Sequence, residues 1–421
     1  MTLLIRLTKD NVALYVKSRI PDFNLDGDVH ISAIGEGSQE EDGDGFINFV
    51  YRVSDETHKL IVKQSSKEAR SKGDFDLSLD RYKLEYESMK IHKAIVPDLL
   101  PDLYDIDTEN RIFITEDVSH LKISRFQLIK GVQYPKLADQ VARFMAASEF
   151  YTSRYYLDSK TYRGLDVHFM NVKMRKIMED GMFLTAITPD DKEGRPLDPD
   201  FERFARFVIA DERIILARTK LRHLFMNTSE CLIHGDLHTS NIFASQDDCK
   251  IIDMEYAHYA PFAYDMGYFL ANFIAQYCAA TFRPFESEEA RASYKEYCIK
   301  MIHDTYMKYC EYFITYCHQD SLPEYRNIPG LEEDFCMTAL HNFIGFAASP
   351  MLGRICNLIP YADYDEIKDP IQQHNAKCMS IILNRQMLLK YENYESIDEF
   401  IDDIKGIEQI YCRNIKDLKL D

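Results

Sequence analysis

The spacing of hydrophobic and polar positions changes along the chain, and the change divides it. Near the start, apolar residues recur at every second position in "FINFVYRV" (46–53) and "HKLIVKQ" (58–64), the alternation of half-buried strands, and "IFITE" (112–116) reads the same way. "TKDNVALYVKSR" (8–19) and "LDRYKLEYESMKIHKAI" (79–95) carry apolar residues three and four apart, which predicts helices. "PDLLPDLYDID" (97–107) is broken by prolines, and residues 116–119 read as a connector. From "YPKLADQVARFMAASEFYTSRYYL" (134–157) onward the period is mainly helical. Residues 182–200, with Pro189, Gly194, Pro196 and Pro199, form a predicted exposed loop, residues 201–225 a single helix, and nearly everything beyond Tyr264 is helical. The expected class is therefore α+β. A small N-terminal lobe with an antiparallel sheet, residues 1–117, precedes a larger, mainly helical lobe, residues 118–421. A length of 421 residues, above the size at which one core stops growing, agrees with two lobes.

One stretch departs from both periods. In "CLIHGDLHTSNIFASQDDCKIIDMEYA" (231–257), two short apolar runs that read as buried strands flank a polar loop. Asp236 and Asn241 lie in that loop, and the second run leads to Asp253 and Glu255. If extended geometry continues to Glu255, alternation places both acids on one side. Facing carboxylates need protons or a cation, and an oxygen-only set suits magnesium, which completes its shell with phosphate oxygens and water. Asp236 suits a carboxylate that accepts a hydrogen bond from a substrate hydroxyl and orients it for in-line attack on phosphorus. A zinc site on His234 and His238 would need a helix that Gly235 disfavours, and "GDLH" lacks the later element of a metallophosphoesterase. A phosphoryl-transfer centre is the reading that uses the whole ordered set.

Charge sharpens this reading. A net −19 argues against nucleic acid or an anionic membrane as partner, and it means that a phosphate site requires local cations or metal. The start, "MTLLIRLTKDN", is too short in apolar residues for a signal peptide, and the apolar stretch around "YFLANFIAQYCAA" falls short of a membrane span. Ten cysteines, all from Cys231 onward and without a CxxC pair, read as reduced thiols in a cytoplasmic protein.

His234-Gly235-Asp236-x-x-x-x-Asn241 followed by Asp253 resembles the catalytic loop and metal aspartate of the aminoglycoside phosphotransferase and choline kinase group, which has the protein-kinase-like bilobal fold. The fuller strings "HGDLHT" and "IDMEYAHYAPFAYDMGYFLAN", with Glu255 in Asp-x-Glu, resemble the 5-methylthioribose kinase family, as does "TEDVSHLKISR" at the lobe join. The resemblance implies a kinase that transfers the γ-phosphoryl group of ATP to the 1-hydroxyl of a small sugar, 5-methylthioribose, with magnesium bound. It makes Asp236 the catalytic residue that also contacts the acceptor, and Asn241, Asp253 and Glu255 the metal ligands. Lys63, held by Glu85, would meet the phosphates beside a glycine loop of Gly35, Gly37 and Asn48, and backbone groups of Glu116 and Val118 would hold adenine. Arg354 would contact the sugar; Gly353 stands where the family has a second arginine. Asp265 and His234 would be scaffolding. The family tends toward homodimers. An acceptor other than methylthioribose (another sugar, an amino alcohol or an aminoglycoside) is the alternative, followed by a non-catalytic kinase-like module.

Overall fold

The computed structural model describes residues 5–35, 48–65, 78, 80–184, 198–356 and 362–418. They fall into two compact units, one of Met1–Gln127, His168–Arg175 and His234–His258, the other of Leu128–Val167, Lys176–Ile233 and Tyr259–Asp421.

In the first unit, His30–Ala33 (β1), Phe49–Ser54 (β2), Lys59–Gln64 (β3), Leu103–Asp107 (β4) and Ile112–Glu116 (β5) form an antiparallel sheet in the order β1-β2-β3-β5-β4. The β2–β3 turn is set by Asp55, whose carboxylate accepts the amide hydrogens of Thr57 at 2.8 Å and His58 at 2.5 Å. Pairing of Tyr51 with Val62, Val53 with Leu60 and Val62 with Ile114 lines up one apolar face. That face packs with Val12 and Val16 of a helix, Val12–Arg19 (α1), in one buried cluster. Alternation then sends Lys63 to the opposite face. A second helix, Arg81–Ile95 (α2), buries Arg81, Glu85, Ser88, Met89 and His92, a single stripe at helical spacing. Glu87, two positions from Glu85, is turned off the stripe and pairs with His168 at 2.6 Å.

The strands predicted from alternation are present, while β1 and β4 were not expected. Both have few buried residues and lie at the two sheet edges, so neither shows an apolar period, and the proline-broken stretch 97–107 contains β4 after Pro101.

The second unit is mainly helical: Leu137–Tyr151 (α3), Pro199–Ile209 (α4), Glu212–Asn227 (α5), Tyr264–Phe282 (α6), Glu288–Asp320 (α7), Leu331–Ile355 (α8), Pro370–Lys390 (α9) and Ile397–Leu418 (α10) are its long elements. The one helix expected over 201–225 is two, α4 and α5. Asp211 interrupts it by accepting the Arg213 amide at 3.0 Å as an N-cap, the role in which Asp competes best with helix continuation. At the crossing of α6 and α8, a Cβ on Gly267 would lie 2.8 Å from the Phe343 carbonyl oxygen, so glycine permits the close approach. α8 is long and apolar enough to cross a membrane by length and composition, but 78% of its most apolar window is buried within the protein. All ten cysteines are free.

The helical core also holds an acid. Glu149 on α3 is 1% exposed; it accepts the Ala263 amide at 3.1 Å and the Tyr309 hydroxyl. Burial pushes its carboxyl up to about 8, with Asp265 and Glu230 adding to the effect and the two donors opposing it. A raised carboxyl binds its proton more tightly in the folded chain than in the unfolded one, so its contribution to stability is lost as pH rises from about 4.5 to about 8. Glu149→Gln is expected to remove that slope: melting temperatures measured across this window should converge with wild type at the acid end and exceed it at pH 8.

Candidate active site

Lys122–Ile123 (β6), Ile242–Ala244 (β8) and Cys249–Ile251 (β9) form a small antiparallel sheet in the order β6-β8-β9; Cys231–Ile233 (β7) pairs with His258–Ala260 (β10). The polar loop of residues 234–241 connects β7 to β8. Gly235 has φ +89°, and a Cβ there would sit 2.5 Å from the Tyr256 carbonyl oxygen, so the loop and the 253–257 turn meet backbone to backbone. His234 bridges the same two segments. Its Nδ1 accepts the Asp236 amide at 3.2 Å, while Nε2, facing the Ile252 carbonyl at 2.8 Å, must carry the hydrogen. Asn241 Nδ2 donates to the Asp236 carbonyl at 3.0 Å, and the Asn241 carbonyl accepts the Ile252 amide at 3.0 Å. Asp236 is thereby fixed through its main chain on both sides. His238 Nε2 lies 3.4 Å from its Oδ2.

β9 stops at Ile251, and Asp253 has φ +68°, a left-handed backbone. Strand alternation therefore does not bring Asp253 and Glu255 together, as had been expected; a turn does. The result is nonetheless a tight group, in which one carboxylate oxygen each from Glu85, Asp253 and Glu255 lies within 4.8 Å of the others. Lys63 Nζ reaches Glu85 Oε1 at 2.8 Å and Asp253 Oδ1 at 2.5 Å. At Glu255, Oε2 accepts from Asn48 Nδ2 at 3.1 Å and lies 3.3 Å from Arg81 Nε. Arg81 Nη2 donates in turn to Asn48 Oδ1 at 2.6 Å. Arg81 is fully buried and was not foreseen as a site residue; its signal was its position one helical turn before Glu85, on the same face.

Three acids thus face two cations. Burial pushes Glu85 and Glu255 above the ordinary glutamate value, with Asp253 adding to the repulsion. Burial also acts on Asp253, but Lys63 overrides it and holds that carboxyl low. Lys63, which burial alone would discharge, is held charged by Asp253, Glu85 and Glu255. Glu85 Oε2 is buried without a hydrogen-bond partner, and the Asp253 side chain, 28% exposed, is the acid of the three that solvent reaches. Surplus negative charge, an orphaned oxygen and one accessible carboxylate fit a hard divalent cation taken on together with phosphate oxygens.

Other expected residues belong to the same unit. Gly35 follows β1 with φ +92°, a conformation glycine adopts without cost. Gly37 lies outside the described residues. Asn48, expected beside phosphate, has its side chain engaged by Glu255, Arg81 and the Ser65 hydroxyl. At the end of β5, the Glu116 amide donates to Asp102 and the Val118 carbonyl accepts from Leu121. Thr115 Oγ1 donates to the Glu116 carbonyl at 3.4 Å, and that carbonyl with the Val118 amide two residues on has the acceptor–donor spacing of the kind that reads a base edge. Arg354 belongs to the second unit, where it is 4% exposed and donates from Nη2 to the Tyr268 hydroxyl at 3.2 Å.

A model of the phosphotransferase enzyme family matches residues 38–297, and the chain belongs to that family. It is a kinase of small molecules. The particular relatives are methylthioribose kinases. That of Geobacillus sp. (strain WCH70) is 32% identical over 362 residues, covering 85% of this chain and 88% of its own length, and that of Bacillus velezensis is 30% identical over 368 residues, covering 87% and 90%. Among solved structures, the choline kinase of Cryptosporidium parvum Iowa II is similar with a TM-score of 0.48 and 14% identity, covering 95% of this chain and 98% of that one.

Proposed function

We propose that this protein transfers the γ-phosphoryl group of ATP to the 1-hydroxyl of 5-methylthioribose, giving 5-methylthioribose 1-phosphate. The reaction rests above all on one observation: Lys63, from the sheet, bonds Glu85 and Asp253 together beside Glu255, in the same unit as Asp236. The acceptor is supported by the identity to methylthioribose kinases over most of both chains.

In this account Asp236 accepts a hydrogen bond from the acceptor hydroxyl, orients its lone pair along the line of attack and takes the proton as the new P–O bond forms and the bond from the γ-phosphorus to the bridging oxygen breaks, releasing ADP. Its main chain is immobilised by His234 and Asn241, so orientation costs little at the moment of reaction. Lys63 places positive charge against the phosphates, and Glu85 fixes its direction. Asp253 and Glu255, with Glu85 beside them and Asn241 assisting, would hold Mg2+, which neutralises charge on the transferring group. The Glu116 carbonyl and Val118 amide hold adenine, and Arg354 contacts the sugar. We place the protein in the cytoplasm; two copies per molecule follow from the family's tendency alone.

The test is an ADP-release assay with magnesium over a panel of acceptors. Methylthioribose is expected to be consumed in a chelator-sensitive reaction. Turnover of choline or kanamycin with none of methylthioribose would overturn the acceptor, and undiminished turnover in excess EDTA would overturn the role of the acid group.

A further inference from the structure

Residues 168–175 are built into the first unit although the chain on either side of them belongs to the second. Asn171 is the buried polar residue of this strap, alongside the apolar Phe169 and Met174. It is 5% exposed, and its Nδ2 donates to two main-chain carbonyls, those of Glu255 at 2.9 Å and Ala257 at 3.0 Å. Two facing carbonyls fix which end of the amide is nitrogen, and both of its hydrogens are used.

The arrangement comes at the expense of what an asparagine normally does in this place. Asn171 immediately precedes the helix Val172–Phe183, and its own carbonyl accepts the Arg175 amide at 2.9 Å, the position of an N-cap. A capping asparagine would turn its Oδ1 onto the free amides of the first turn. Here Oδ1 is buried with no partner. The backbone is also left-handed, φ +41°, which aims the side chain away from the helix it opens. Local helix stability has been given up for a clamp on a distant turn.

That turn carries the acid group. Glu255 is consequently gripped at both ends, its carbonyl by Asn171 and its carboxylate by Asn48 and Arg81. The same turn contains Asp253 in its left-handed conformation and the Tyr256 carbonyl against which Gly235 closes. We infer that Asn171 is a positioning residue for phosphoryl transfer, setting where Glu255 and Asp253 present their oxygens to the cation through the main chain of residues 255–257. It touches no reactant. The inference rests on the proposed role of the acid group, and nothing in the sequence marks Asn171 beyond its place before a helix.

Two variants separate the clamp from the backbone. Asn171→Gly keeps the left-handed conformation, which glycine adopts freely, and removes both hydrogen bonds; Asn171→Asp keeps shape and removes the donor. Each is to be measured for Mn2+ affinity by calorimetry in the presence of a non-hydrolysable ATP analogue, for kcat and acceptor KM at saturating Mg2+, and for melting temperature. The expected result for both is Mn2+ binding weakened about tenfold and kcat lowered at least about tenfold, as for removal of a residue that orients ligands from behind, with acceptor KM within about twofold. Should Asn171→Gly bind Mn2+ and turn over like wild type, the residue serves only its own backbone conformation and the inference is wrong. A loss of melting temperature with unchanged Mn2+ affinity would make it structural alone, which also overturns it. If wild type itself binds no Mn2+ and turns over without a divalent cation, the reading of the acid group fails first.

Discussion

Asp236→Asn is expected to leave a folded protein whose kcat falls by a factor of about 10² to 10⁴, the range over which a positioned general base contributes. Asparagine keeps the shape and can still accept a hydrogen bond, but it cannot take the acceptor's proton. The fold should be indifferent, because the loop is held by Gly235 against Tyr256, by His234 and by Asn241, none of which uses the Asp236 carboxylate. Melting temperature and ATP-analogue affinity should therefore match wild type while turnover collapses. Full turnover in this variant would refute the assignment of proton acceptance to Asp236.

Lys63→Met is expected to damage both fold and reaction. Methionine fills much of the lysine stem's volume, so the principal loss is charge, and three neighbouring carboxylates then have Arg81 as their remaining close cation. Removing one member of a buried pair costs about 3–5 kcal/mol; the lower end applies here, because the Asp253 side chain is 28% exposed and water can compensate it. Glu85→Gln added to Lys63→Met should restore part of that stability by removing one buried acid, and none of the activity. Chemical denaturation of the two single variants and the double variant measures the coupling. Additive losses would mean that Lys63 and Glu85 do not act as a pair.

The sequence disclosed the site more completely than the sheet that carries it. Lys63 and Glu85 were legible through the family resemblance, and the fold agrees with it: β3 and the buried stripe of α2 bring the two side chains to 2.8 Å. β1 and β4 were not legible, since an edge strand with few buried residues has no apolar period to display. Asp253 and Glu255 were paired correctly for a reason that does not hold, because periodicity cannot reveal where a strand gives way to a left-handed turn. The long-range pairings escaped, although Asn48 itself had been expected beside the phosphates. Arg81 and Asn48 meet Glu255 across more than 170 residues of sequence, and Asn171 meets its carbonyl across 84, distances over which no local pattern carries information.

The left-handed backbone at Asp253 places two independent filters on a single position. Sterics admit glycine and, among residues with a side chain, chiefly asparagine and aspartate; the proposed role as a cation ligand admits aspartate. Asparagine and glycine at 253 thus discard the charge while preserving the turn, which makes them the natural inert forms in which to trap both reactants together unreacted.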